Sequence, residues 1–311
     1  MDLELSDSTG TLGAKIWSSE AEAMRSAESL RAGSAVKTEF EIGSYQGTTQ
    51  LKILRLRSAS AEDRGFDPKI LFGDVPDWLP SLRCDTLVFD IETVPAHDLR
   101  QLPATIVKSL TEHAERRDMD QAAVMGLSPW FGKVVTLAFG EGLSDPDDQD
   151  VTVLAVPNQD DDLGPDTPSW VHPVSERELL QSFWSLASLA DVVVSFNGRG
   201  FDIPFLVGRS LVHGIDARVD LLSQRFSLKP HLDLLDLVSQ RGRGPANLDV
   251  VCWALGITSP KGEMDGSMVA PAYARGELQK IAEYNREDVR ATTKVFQTLR
   301  SQVLRYRKDW S

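Results

Sequence analysis

This sequence predicts an α/β protein, a mixed β-sheet flanked by helices, with a small N-terminal α+β extension, and three observations carry that prediction. An apolar strand run, Asp85-Thr86-Leu87-Val88-Phe89-Asp90-Ile91-Glu92-Thr93, ends in two acids. Two further strand runs follow, then a helix and a fourth strand, so consecutive strands and helix-separated strands occur together. A long helical pattern closes the chain, from about Leu278 to Leu304.

Residues 1–80 form the extension. Ser18-Ser19-Glu20 predicts the cap of a helix running to about Arg31. Thr38–Ile42 alternates polar and apolar, Ser44-Tyr45-Gln46-Gly47 reads as a turn, and Gln50–Leu56 returns as a strand. Asp67-Pro68, Gly73-Asp74 and Val75-Pro76 mark a linker. Nothing here suggests chemistry, and a packing role or a protein partner is expected for this segment.

Residues 81–311 form the second domain. After the acidic strand, Leu99 to about Arg117 is helical in pattern despite Pro103. Lys133–Gly140 and Asp150–Val156 are strands joined by a short acidic loop, which predicts an antiparallel meander. The stretch from Asp160 to Pro173 reads as a loop. Ser175-Glu176-Arg177-Glu178 is a capping box opening a helix with Leu179, Leu180, Phe183 and Leu186 on its apolar face. Asp191–Phe196 is the next strand.

Composition excludes several classes. The hydrophobic and charged fractions, 41% and 25%, are those of a globular protein with a sizeable core. No run of 18 uncharged apolar residues exists, so no membrane partner is expected. The acidic start lacks a leader's basic and apolar regions, and the two cysteines, Cys84 and Cys252, lie far apart; a reducing cytoplasm is expected and a cysteine zinc cluster is not. The net charge of -13 argues against bulk electrostatic attraction to nucleic acid. Eight of the acids, however, fall between Asp145 and Trp170 without a Lys or Arg, while the last helix is rich in both. Charge therefore decides little about a polyanionic substrate.

The chemistry lies in spacing. Asp90 and Glu92 stand at i and i+2 of a strand and project from one face, as a divalent-cation site needs. Asn197-Gly198-Arg199-Gly200-Phe201-Asp202 follows the fourth strand; Asp202 is an N-cap residue, a third carboxylate at a strand end, or both. Tyr284 and Asp288 stand at i and i+4 of the last helix and share a face.

In that order, Asp90-x-Glu92, Asn197-x-x-x-Phe201-Asp202 and Tyr284-x-x-x-Asp288 resemble the three motifs of the DEDD superfamily of 3′–5′ exonucleases, whose fold is RNase H-like. The tyrosine marks the DEDDy branch. The chain is most similar to predicted exonucleases related to the proofreading domain of family B DNA polymerases. That likeness extends over His231–Leu237, Ala246–Asp249, Leu255-Gly256 and Met264–Ser267, and spans roughly residues 84–300. No polymerase module is expected in the chain, so proofreading within it is not expected either.

The resemblance implies a metal-dependent hydrolase that shortens single-stranded or frayed nucleic acid from the 3′ end, with DNA favoured. It implies two Mg²⁺ or Mn²⁺ ions, which oxygen ligands suit. Asp90, Glu92 and Asp288 would hold the ion that activates water, Asp90 would bridge to the second, Asp202 would support that second ion, and Tyr284 would orient the water. Asn197 and Phe201, with Ile91 and Thr93 beside the acids, are expected to hold the terminal nucleotide, Phe201 by stacking. Arg199, Arg241 and Arg243 are candidate phosphate contacts, and His231 is a candidate substrate contact or, with Asp233, support for the site. Four converging carboxylates without cations should have raised pKa values. The alternatives are an exoribonuclease, a choice resting on 2′-hydroxyl contacts, and a non-catalytic RNase H-like binding or scaffold module, which the electrostatically costly cluster disfavours. An RNase H-type endonuclease is disfavoured by Tyr284 preceding Asp288.

Overall fold

The computed structural model describes the chain except residues 8–10, 31–33, 46, 61–62, 64–78, 83, 159–162, 223–226, 240–245, 259–263 and 311. Arg31, Gln46, the linker residues Asp67 to Pro76, Asp160, Asp161, Asp162, Arg241 and Arg243 lie outside the described residues. Two compact units are present, Met1–Asp77 and Trp78–Ser311. No helix among the described residues is long and apolar enough to cross a membrane.

The first unit is a four-stranded sheet, ordered β1 (Asp2–Ser6), β2 (Thr11–Ile16), β4 (Thr48–Ser58), β3 (Val36–Tyr45), with helix α1 (Ala21–Ser29). The sequence reading expected a helix and one hairpin. β1 and β2 add to it because Leu3 and Leu5 alternate with acids and pack on the cluster of Ala14, Ile16, Ala23, Leu51 and Ile53. The expected serine cap is absent: Glu20 occupies the N-cap without a side-chain bond, and the Ser19 hydroxyl donates to the Glu20 carboxylate instead.

The second unit is a six-stranded sheet ordered β10-β9-β5-β6-β7-β8. Its strands are β5 (Thr86–Pro95), β6 (Gly132–Glu141), β7 (Thr152–Ala155), β8 (Val171–Pro173), β9 (Val192–Ser195) and β10 (His231–Asp233). The meander holds, since β5, β6 and β7 pair antiparallel in sequence, while β9 lies parallel to β5 and β10 parallel to β9. β8 corrects the loop reading of residues 160–173, because the last three of them pair parallel with β7. Pro103 does interrupt the expected 99–117 helix. Leu102, held extended by the proline after it, separates a 3₁₀ turn at Leu99–Gln101 from α2 (Ala104–Arg117). A short helix α3 (Gln121–Gly126), capped by the Asp120 side chain, was not foreseen.

Helices cover both faces of the sheet. On one side α4 (Glu176–Leu189), opened by the Ser175–Glu178 capping box, sets Phe183 against Phe89 of β5, with ring centroids 4.9 Å apart. α5 (Asp202–His213) lies beside it, and the pair is locked by a buried ion cluster: Glu176 accepts two bonds from the Arg209 guanidinium at 2.8 Å, one from His213 at 2.9 Å and one from the Val134 amide at 2.9 Å. On the other side lie α8 (Gly266–Ala274) and α9 (Leu278–Gln302), with Ile281, Val289, Val295 and Phe296 in the same core as Val88 and Ala138. The short α6 (Leu234–Val238) and α7 (Leu248–Leu255) complete the unit. Burial on both sides explains why β5 and β6 read as nearly continuous apolar runs.

Candidate active site

Alternation along β5 sends Leu87 and Phe89 toward α4, and sends Val88, Asp90 and Glu92 toward α9. From α9, whose buried stripe includes Ile281, Asn285, Asp288, Thr292 and Val295, Asp288 rises to meet them. Asp90, Glu92 and Asp288 each offer a carboxylate oxygen within 4.8 Å of the others. The β5–β6 register shifts directly after Glu92, a bulge that bends the ladder at the edge of the cluster.

Asp202 comes from the opposite layer. It is the first residue of α5 rather than the N-cap, a place taken by Phe201, whose side chain makes no cap bond. The Asp202 carboxylate instead reaches across to accept from the Ile91 amide, between the two acids of β5, at 3.3 Å. One loop aims it. Asn197 adopts φ 67°, and a side chain at Gly198 would come 2.3 Å from the Ser195 hydroxyl, so only glycine fits. Asp233 accepts from the Asn197 and Arg199 amides at 2.9 and 3.0 Å and pins this loop to β10.

Burial raises Asp90, Glu92 and Asp202, and neighbouring charge adds to it. Asp90 is pushed well above the carboxylate range by burial, then by Asp202, Asp288 and Glu92, against a lowering hydrogen bond from Asn285. Glu92 is raised by burial, then by Asp288 and Asp202. Burial brings Asp202 to about 7, although its own amide and that of Ile91 pull it down. Tyr284 is raised by burial and by the charges of Asp288, Glu92 and Asp90, so its hydroxyl keeps its proton at neutral pH. Each pair of ionised carboxylates at such separations repels by roughly 3 kcal/mol at an effective dielectric near 20. Among the described residues no Lys or Arg is bonded to Asp90 or Glu92. Three carboxylates converging in this way offer hard oxygen donors, which fit a divalent cation.

Other expected contacts are placed differently. Arg199 turns inward, donating to the carbonyls of Leu222 at 3.1 Å and His231 at 3.0 Å beside Asp236, so it is no free phosphate ligand. His231 is 1% exposed. Its Nδ1 donates to the Leu221 carbonyl at 3.0 Å, leaving Nε2 to accept from Ser195 at 2.8 Å, and burial lowers its pKa to about 4. It is a neutral brace for the loop and not a substrate contact. The Ile91 side chain is buried on the far face of β5, and its amide serves Asp202. Thr93 donates to the Gly126 carbonyl at 2.8 Å. Asn197 remains exposed and Phe201 half-buried, its ring 5.6 Å from that of Phe205.

Sequence reasoning missed Asn285. It is fully buried, its amide donates to Asp90 at 2.7 Å, and its own carbonyl oxygen has no partner. The signal was available, since it precedes Asp288 by three residues on the same helical face.

Residues 131–309 match the family described as predicted 3′–5′ exonucleases related to the exonuclease domain of PolB. The chain belongs to this family. The match covers Asp202, Tyr284 and Asp288, while Asp90 and Glu92 stand on β5, before the matched segment. A DNA polymerase of Pyrococcus glycovorans is 27% identical over 135 residues, 38% of this chain and 17% of the polymerase. Similar solved structures are the family B DNA polymerase of Pyrobaculum calidifontis (TM-score 0.46, 19% identity, 87% of this chain and 29% of that one) and a product-bound exonuclease I (TM-score 0.37, 16% identity, 72% and 45%). The chain thus spans less than half the length of each of these relatives.

Proposed function

We propose that the chain removes nucleotides from the 3′ end of single-stranded or frayed nucleic acid, with DNA preferred, in a reaction that depends on two divalent metal ions. The observation that carries this reading is the convergence of the carboxylates of Asp90, Glu92 and Asp288 within 4.8 Å of one another. Asp90, Glu92 and Asp288 would hold one Mg²⁺ or Mn²⁺, and Asp90 with Asp202 the other. Bound there, such ions make a water nucleophilic near neutral pH and offset charge on the phosphate and the leaving 3′ oxygen.

The remaining work falls to the chain. Tyr284, kept protonated, presents a hydroxyl donor beside Asp288 that orients the attacking water, a task phenylalanine lacks the atom to perform. Asn285 fixes the rotamer of Asp90, and the Ile91 amide fixes Asp202. Asn197, exposed, and Phe201, half-buried beside Phe205, would hold the terminal nucleotide, Phe201 by stacking on its base.

The test is digestion of 5′-labelled single-stranded DNA and matching RNA with Mg²⁺ or Mn²⁺, beside EDTA and Tyr284→Phe. A ladder shortening from the 3′ end, lost in EDTA and slowed about a hundredfold by Tyr284→Phe, is expected. No metal-dependent product on either strand would overturn the reading, and faster loss of RNA would reverse the preference.

A further inference from the structure

Beyond the bulge, β5 leads to a cavity of about 300 Å³ between α2, α3 and the segment before β6, with Leu110, His113, Arg117, Leu127, Trp130 and Phe131 among its walls. Its volume lies at the low end for small-ligand sites. Trp130 is 57% exposed and Leu127 48%, so the cavity opens to solvent through apolar groups. Among the described residues its charged or titratable lining is His113 and Arg117, although the chain carries a net charge of -13. The cavity is tied to the carboxylate strand, since Thr93 donates to the Gly126 carbonyl and the Ala96 amide to that of Phe131, both at 2.8 Å. Ala96 stands four residues past Glu92, about 13 Å along an extended strand.

We propose that this groove holds the part of the nucleic-acid strand that lies upstream of its 3′ end, with a base stacked on Trp130 and a phosphate beside Arg117. The inference rests on the exonuclease reading, since a strand with its 3′ end among the carboxylates must leave along some path. This path offers an exposed aromatic and a cation with no acid among the described lining residues, the pairing that holds single strands without regard to sequence.

The experiment uses the full chain carrying Asp90→Asn, so that strands are bound and not cut, with fluorescence anisotropy of 5′-fluorescein-labelled octamers and dinucleotides of thymidylate and of uridylate. Trp130→Ala should weaken octamer binding roughly tenfold and leave the dinucleotide unchanged, and Trp130→Phe should recover most of the loss. Arg117→Gln should reduce the salt dependence of octamer binding by about one ion. Trp253→Ala, which removes a tryptophan 80% exposed on α7, should leave both ligands unchanged. Octamer binding that is indifferent to Trp130, or absent in the parent, overturns the proposal. A Trp130-dependent octamer that the unmodified chain never shortens would instead remove the exonuclease reading and leave the groove as a strand-binding surface.

Discussion

Two buried acidic sites in this domain contrast in one respect. Around Glu176 the chain supplies its own cation: burial raises that carboxyl, but Arg209, the Val134 amide and His213 outweigh burial and hold it below its usual range. Around Asp90 the chain supplies more acid and one neutral amide, and Asp90 and Glu92 are both shifted upward. A closed ion pair is a way to lock α4 onto α5. An open cluster of like charges is a place kept for something from outside.

The largest expected effect separates the two sites by activity. Asp90→Ala should lower kcat about a thousandfold or more, several kcal/mol of charge stabilisation, with melting temperature unchanged or raised. Lost activity accompanied by a lower melting temperature would make Asp90 structural. The converse holds at the closed site, where Glu176→Ala strands Arg209, only 6% exposed, and should cost about 3–5 kcal/mol of unfolding free energy in a denaturant titration. If that variant keeps its stability, the cluster does not lock the layers.

Two subtler variants sharpen the contrast. Asn285→Ala should weaken divalent-ion affinity by about 10- to 100-fold by freeing Asp90, read by calorimetry with Mn²⁺. The smallest effect is one of pH. The folded-state pKa of Asp90 lies above its unfolded value, so in metal-free protein its ionisation costs stability. That cost is absent below about pH 4, where both states are protonated, and grows as pH rises toward the folded pKa. Asp90→Asn should therefore raise the melting temperature of metal-free protein by a few °C at pH 8, with the gain vanishing near pH 4. A gain independent of pH would contradict the unbalanced cluster.

What the sequence made legible was local and periodic. Two-residue spacing on β5 and four-residue spacing on α9 are enough to put Asp90 beside Glu92, and Tyr284 one turn before Asp288, and the capping box marks α4 without ambiguity. Partners distant along the chain were not legible. Arg199 looked free on a glycine-rich loop because the carbonyls that engage it lie more than 20 residues away, and His231 looked polar because Ser195 and Leu221 are needed to show it buried. β8 escaped notice since three residues ending in proline carry no alternation, and only the edge of β7 makes them a strand.

Helix α9 carries Tyr284, Asn285 and Asp288 within five consecutive positions of a 25-residue rod whose inner face is core. Such a rod belongs to the most protected part of a domain and opens only when the domain opens. The helical half of the site therefore has no separate melting of its own. On heating, catalytic competence and amide protection along α9 should vanish together, in one step, with no interval in which a folded protein has mislaid a single one of the three groups.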